Sequence, residues 1–101
     1  MTRVNIENNL FEAVKIVQQL NGENEFIING NTIPRDNYKN FDSLCEINVI
    51  AELEELLEVE IKDNDLFVDN EHKPISLNSV VDKLYLMFKD KESSNEKDKT
   101  K

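Results

Sequence analysis

Ser43 is the residue whose position in the chain most favours chemistry. It lies in the triplet Asp42-Ser43-Leu44, near the start of the segment 41–61, FDSLCEINVIAELEELLEVEI. Apolar residues recur in this segment at steps of three and four, which predicts one amphipathic helix. Its predicted apolar face comprises Leu44, Ile47, Ile50, Ala51, Leu53, Leu57 and Ile61. The hydroxyl of Ser43 would then lie at the positive end of a helix, where unpaired backbone N–H groups favour an anion.

The polar side of this predicted helix is acidic. Between residues 40 and 61 the chain has no Lys or Arg. The acidic residues of the segment are Asp42, Glu46, Glu52, Glu54, Glu55, Glu58 and Glu60. Such a face keeps a small protein in solution or meets basic patches on partner proteins, and the two roles are compatible.

The remaining reactive side chains do not suggest an enzyme. The single His, His72, lies in a polar loop beside Lys73 with no evident catalytic partner, and one His and one Cys cannot form a zinc site, so we expect no catalytic residue and no metal. A carboxylate pair stays open because acids are abundant, but nothing in the sequence implies a cleft. Cys45 is expected to be a small, half-buried apolar residue, and the lack of a possible internal disulfide fits a reducing compartment.

Length and charge limit the function classes further. The 101 residues suit one small domain, and a net charge of −9 excludes a general nucleic-acid binder. No apolar run approaches the roughly 20 residues that a membrane span requires. We therefore expect a soluble, cytoplasmic monomer that meets partners with basic patches.

Two further helices are predicted on either side of the central segment. Residues 3–20 carry one apolar face and are followed by Asn21-Gly22, a typical helix stop. Residues 76–88 form the last helix, with Ser76 as a fair N-cap. Residues 89–101 have no apolar side chain, and we expect a charged disordered tail or a fraying helical extension.

Two connections join these helices. Residues 23–40 are expected to form a long ordered loop, with a hairpin at 26–33 around Asn29-Gly30 as an alternative. Pro34 is expected to close this connection to any helix. Residues 62–75 are expected to contain one short helical turn at 63–67. The predicted fold class is all-α: a small antiparallel three- to four-helix bundle with a long first loop, formed by residues 1–88.

This order of elements, together with the triplet, resembles the acyl carrier protein family. The family's pattern at its modification site is approximately Leu-Gly-x-Asp-Ser-Leu, and residues 39–44 of this chain read KNFDSL. The last three residues match, whereas the Leu and the Gly do not. Residues 76–82, SLNSVVD, are similar to the family's Thr-Ile-x-x-Leu-Val-Glu entry into the last helix. The resemblance covers residues 4–88 and suggests a divergent, specialised member with an all-α bundle of acyl-carrier-protein type.

The resemblance implies that a phosphopantetheinyl transferase attaches 4′-phosphopantetheine from coenzyme A to Ser43, with Asp42 and Leu44 flanking the attachment point. The arm would hold acyl intermediates as thioesters in fatty-acid, polyketide or related specialised biosynthesis. The chain itself would be a non-catalytic substrate of acyl-transferring or ketosynthase-type enzymes with basic patches. Residues expected to bind these partners are Glu46, Val49, Glu52, Glu55 and Glu58. Residues expected to contact a fatty or polyketide chain between the helices are Ile47, Ile50, Ala51, Leu57 and Val81.

A plainer interpretation of the triplet stays open. Ser43 and Glu46 have the spacing of a capping box, and Asp42 is an equally good N-cap. The protein would then be an unmodified acidic helical adaptor that binds a basic protein partner. The two hypotheses differ at Ser43, which a carrier requires and an adaptor does not.

Overall fold

The computed structural model describes residues 2–23, 26–62 and 65–100, with side chains described as far as residue 89. Its helices are α1 (Arg3–Leu20), α2 (Pro34–Asn37), α3 (Ser43–Leu57) and α4 (Leu77–Thr100). The described residues contain no β-strand beyond an isolated bridge between Val68 and Pro74. The predicted all-α class is therefore confirmed. None of the described helices is long and apolar enough to span a membrane.

Helix α1 has the bounds that its apolar periodicity predicts. The Thr2 hydroxyl caps its start by accepting from the Asn5 N–H at 3.1 Å. Gly22 ends it in the left-handed region with φ of +84°, a conformation that glycine adopts without steric cost. The buried apolar face of α1 consists of Ile6, Leu10, Ala13, Val14 and Val17.

Both longer helices pack on α1. The Asn21 amide at the end of α1 donates to Cys45 Sγ at 3.0 Å, so α3 starts where α1 ends and returns alongside it. Arg3 at the start of α1 forms an ion pair with Asp82 of α4. Around α1, the core is completed mainly by Val49, Leu53, Leu66, Phe67, Leu77, Val80, Val81 and Leu84.

The first loop, residues 21–42, contains a helix that the sequence analysis excludes. Helix α2 begins at Pro34, so the expectation that Pro34 closes this segment to any helix is wrong. Proline suits the first helical position because its fixed φ is already helical and its missing N–H would have no partner there. The alternative hairpin at 26–33 is absent from the described part of this segment, where the Thr32 N–H instead closes a turn by donating to the Asn29 carbonyl at 3.1 Å.

The first loop is fixed to the start of α4. The Gly30 and Thr32 carbonyls accept from the Asn78 and Leu77 N–H groups at 2.9 and 2.8 Å. These are N–H groups that a helix start leaves without partners inside the helix. A Cβ at residue 30 would lie 2.4 Å from Asn78 Oδ1, so glycine permits this close approach. Docking on α4 fixes the position of residues 30–32 of the loop.

The second connection adds two buried residues to the core. Leu66 and Phe67 are almost fully enclosed, and the rings of Phe67 and Phe41 are 5.7 Å apart. Lys83 Nζ holds this segment on α4 by donating to the Asp65 and Val68 carbonyls at 2.8 and 2.7 Å. Of the helical turn expected at 63–67, residues 63 and 64 lie outside the described residues, and 65–67 form a turn.

Helix α4 starts one residue later than expected. The Ser76 hydroxyl accepts from the Ser79 N–H at 3.3 Å, which confirms Ser76 as a capping residue. The backbone of α4 continues as far as Thr100. It therefore extends into residues 89–101, for which the sequence predicts either a disordered tail or a helical extension.

Helix α3 differs from its prediction in length and in orientation. It ends at Leu57 instead of Ile61, because Glu58 adopts a left-handed conformation with φ of +55°. Its buried residues are Cys45, Glu46, Val49, Leu53 and Leu57. Leu44, Ile47 and Ala51 are exposed, so their assignment to the apolar core face is wrong.

Candidate functional site

Ser43 is the first residue of α3, and its side chain is exposed. The N-cap is Asp42, whose Oδ1 accepts from the Cys45 N–H at 3.1 Å. This and weaker bonds from the helix start lower the pKa of the Asp42 carboxyl below its ordinary value. Since Asp42 supplies the cap, the capping box of Ser43 and Glu46 is not formed. Within the described part of the chain, the Ser43 hydroxyl makes no hydrogen bond and is accessible from outside.

Glu46 is turned away from solvent instead of towards a partner. Its side chain is only 8% exposed, and both carboxylate oxygens bind Arg35 of α2, one of them at 2.7 Å from Nη2. Because the ion pair already occupies this carboxylate, the expectation that Glu46 contacts a partner is wrong for this conformation. Glu46 instead connects the first turn of α3 to the first loop.

Val49 also lies outside the expected docking surface. It is fully buried in the core between the helices, so the expectation that it contacts a partner enzyme is wrong. Glu52 is half-buried, whereas Glu55 and Glu58 are exposed. Of the five residues expected to bind partners, only these three glutamates keep a carboxylate that a partner could reach.

An exposed apolar strip follows Ser43 along α3. Leu44 and Ile47 are 64% and 61% exposed, and Ala51 continues the strip one turn later. We call Leu44, Ile47 and Ala51 the outer strip of α3. Helical spacing places Glu55 next in line along the same side, and the exposed Glu58 follows directly after the last residue of the helix. Ser43 is thus followed on the surface by apolar side chains and then by carboxylates.

The groove expected for a fatty or polyketide chain is not formed as predicted. Ile47 and Ala51 face solvent, whereas Leu57 and Val81 are buried in the core. These residues therefore do not line a common surface, and Ile50 is only partly buried between them. An acyl chain could not touch all five without reorganising α3.

Cys45 is enclosed beside the site. It is 5% exposed, receives a hydrogen bond from Asn21 and donates to the Asn40 carbonyl at 3.4 Å. It is therefore more completely buried than the half-buried residue that was expected. The described residues also contain no group of three or more His, Cys, Asp or Glu side chains placed to hold a metal ion.

A cavity of about 580 Å³ lies in the first loop, a feature that the sequence analysis missed. Its walls include Gln18 at the end of α1, Phe26 and Thr32 in the loop, and Tyr38 and Lys39 after α2. The Tyr38 hydroxyl donates to the Ile27 carbonyl at 2.7 Å, and burial raises the pKa of Tyr38 to about 12. The only signal in the sequence was the unusual apolar and Asn-rich stretch 26–33, whose shape depends on docking to α4.

Comparison with protein-family models, with curated proteins and with solved structures finds no match for this chain. The functional argument therefore depends on the residues and their geometry.

Proposed function

We propose that this chain is an acyl carrier protein that is modified with 4′-phosphopantetheine at Ser43. The observation that carries the proposal is the division of roles at the start of α3, where Asp42 caps the helix and the adjacent Ser43 hydroxyl is exposed and unbonded. The oxygen of a serine used as the cap would become a phosphoester oxygen on modification, which is a weaker hydrogen-bond acceptor. Here the modification costs no contact among the described residues.

The surroundings of Ser43 fit a phosphodiester. The first turn of a helix of 15 residues offers backbone N–H groups and the positive end of the dipole to an attached anion. In the transfer, Ser43 Oγ bonds to the phosphorus atom of coenzyme A that carries the pantetheine. The diphosphate P–O bond breaks and adenosine bisphosphate leaves, while the hydroxyl proton of Ser43 passes to a base of the transferase. Once attached, the arm supplies a thiol that carries acyl groups as thioesters. The chain itself then acts as a non-catalytic substrate of its partner enzymes.

The surface beyond Ser43 is suited to enzymes with basic patches. Leu44 and Ile47 offer an apolar contact next to the attachment point, and Glu55 and Glu58 extend a negative surface along the same helix. Charge complementarity of this kind accelerates encounter and orients the partner, with a strong dependence on salt. The proposed partners are a phosphopantetheinyl transferase and acyl-transferring or ketosynthase-type enzymes, in a reducing cytoplasm.

The second candidate function is an unmodified acidic adaptor for a basic protein. The exposed outer strip of α3 favours it, because an apolar strip beside carboxylates is also a helix-docking surface. The adaptor would keep its partner after Ser43→Ala, whereas the carrier would lose its function.

A labelling reaction separates the two. The protein is incubated with a transferase of broad specificity and a coenzyme A that bears a fluorophore on its thiol. Wild type and Ser76→Ala, which alters the serine that caps α4, should become fluorescent, and Ser43→Ala should not. No labelling of a folded wild type would contradict the carrier, and equal labelling of Ser43→Ala would contradict Ser43 as the attachment site.

A further inference from the structure

The first-loop cavity lies close to Ser43. Lys39 lines it and precedes Ser43 by four residues, so their Cα atoms are at most about 14 Å apart. Glu23, which also lines the cavity, accepts from Asn40 at 3.4 Å, and Asn21 contacts Cys45. The residues directly after α1 and directly before α3 therefore border both the cavity and the start of α3.

A phosphopantetheine arm could reach this cavity. From phosphate to thiol its bonded chain corresponds to roughly four to five extended residues, or about 15 Å. The volume of about 580 Å³ lies within the range of small-molecule sites. Reach and volume are thus compatible with a tethered group that folds back from Ser43.

The polar lining selects the kind of group that would bind. Besides the aromatic rings of Phe26 and Tyr38, the walls contain the carboxamides of Gln18, Asn29 and Asn31. Carboxamides both donate and accept hydrogen bonds, as the amide groups of a ligand do. Glu23 and Lys39 contribute one charge of each sign, which does not favour a strongly charged ligand. A long alkyl chain would leave the buried Gln18 carboxamide unpaired, at a cost in free energy.

Gln18 provides an independent indication. The residue is 3% exposed, and its carboxamide makes no hydrogen bond within the described part of the chain. Among the described residues, every side-chain nitrogen or oxygen that is fully enclosed has a hydrogen-bond partner. Since the Gln18 carboxamide has none, its polar atoms are not fully enclosed and are open to the cavity that Gln18 lines. Nearly all buried polar groups are hydrogen-bonded in folded proteins, so this amide is suited to receive a polar partner from a ligand.

Hydrogen bonds within the first loop hold part of the cavity wall. The Ile27 carbonyl accepts from the Tyr38 hydroxyl, and Thr32 Oγ1 accepts from the Asn29 N–H at 3.1 Å. With its pKa raised, Tyr38 keeps its proton at neutral pH and remains a donor. Ile27 itself is 74% exposed beside this wall, where a bound group would cover part of it.

We infer that the first-loop cavity receives the amide-bearing distal part of the arm together with a short, polar acyl group, in preference to a long alkyl chain. This inference rests on the proposed carrier function. It places the cargo in the first loop instead of between the helices.

The test compares backbone amide chemical shifts of the apo-protein with those of the modified protein. Modification should shift the amide signals of Asn29, Thr32 and Lys39 in addition to those next to Ser43. Gln18→Met removes the carboxamide at similar size and should reduce the three cavity shifts at least two-fold. The matched control is Gln19→Met, an exposed neighbour that does not line the cavity and should leave them unchanged.

The cargo is tested by loading the arm with β-hydroxybutyryl or octanoyl groups. The hydroxybutyryl form should keep or enlarge the cavity shifts, whereas octanoyl should not enlarge them. Modification with shifts confined to residues 41–47, or cavity shifts that Gln18→Met leaves intact, would overturn the inference and leave the carrier function standing. Octanoyl shifts at Asn29, Thr32 and Lys39 that are larger than the hydroxybutyryl shifts would also overturn it. Absence of modification at Ser43 would overturn both proposals.

Discussion

Arg35 and Glu46 join the first loop to α3 three residues after Ser43. Arg35 Nη2 donates to Glu46 Oε1 at 2.7 Å, and Nε donates to the other carboxylate oxygen. The hydrogen bond to Glu46 is the main reason that the pKa of Arg35 is raised. The carboxylate is nearly enclosed, while 36% of the Arg35 side chain is exposed. This pair fixes the loop that contains the cavity relative to the proposed attachment point.

Arg35→Met should destabilise the protein by roughly 2 kcal/mol. Removal of one partner of a fully buried pair costs about 3–5 kcal/mol, and the partial exposure of Arg35 reduces this cost. Urea unfolding at neutral pH measures the change.

The double variant Arg35→Met/Glu46→Leu serves as the control for this prediction. It removes the stranded carboxylate and should be more stable than Arg35→Met alone. If the double variant loses as much stability relative to wild type as Arg35→Met and Glu46→Leu lose together when measured separately, the assigned pairing is contradicted.

The orientation of α3 predicts opposite results for two leucines on the same helix. Leu53→Ala should cost roughly 3 kcal/mol, because Leu53 is fully buried and its removal leaves a cavity. Leu44→Ala, at a 64% exposed position, should change the free energy of unfolding by less than about 0.5 kcal/mol. Denaturant unfolding of both variants checks the assignment, and similar costs for the two would mean that α3 is turned differently.

Asp42 should stabilise the protein in a pH-dependent way through its cap. Its pKa is lowered on folding from the ordinary value of 3.8, so its contribution is present above that value and is lost as the pH falls through the lowered pKa. Asp42→Ala should therefore lower Tm at neutral pH, and the difference from wild type should narrow as the pH falls below the ordinary value of 3.8.

Asp42→Asn provides the comparison, because Asn is also a good N-cap and does not titrate. It should retain most of the neutral-pH Tm. If Asp42→Ala and wild type have equal Tm at neutral pH, Asp42 is not the cap and Ser43 regains that role.

The sequence was sufficient where one physical signal dominated. Helix α1 has a single apolar face and a glycine stop, and both its ends were predicted. In α3, the positions 44-47-51 and 45-49-53 both carry apolar residues at helical spacing, so periodicity alone could not identify the buried row. The choice depends on contacts with α1 and on Glu46, whose burial requires an arginine eleven residues away in the chain.

The first loop was beyond prediction for a similar reason. Pro34 is compatible with a loop or with a helix start, and only the latter is seen. The cavity exists because the carbonyls of Gly30 and Thr32 dock on α4, more than forty residues later in the chain. The exposed serine was identified from the triplet, but its separation from the cap became evident only from the Asp42 geometry.

The central claim is tested most directly by intact mass after reaction with coenzyme A and a broad-range phosphopantetheinyl transferase. The account predicts a single phosphopantetheine adduct on wild type, no adduct on Ser43→Ala, and fragmentation that locates the adduct at Ser43. An unchanged mass for wild type, in a sample shown to be folded by circular dichroism, would contradict the carrier function. An adduct that persists in Ser43→Ala would contradict the assignment of the site.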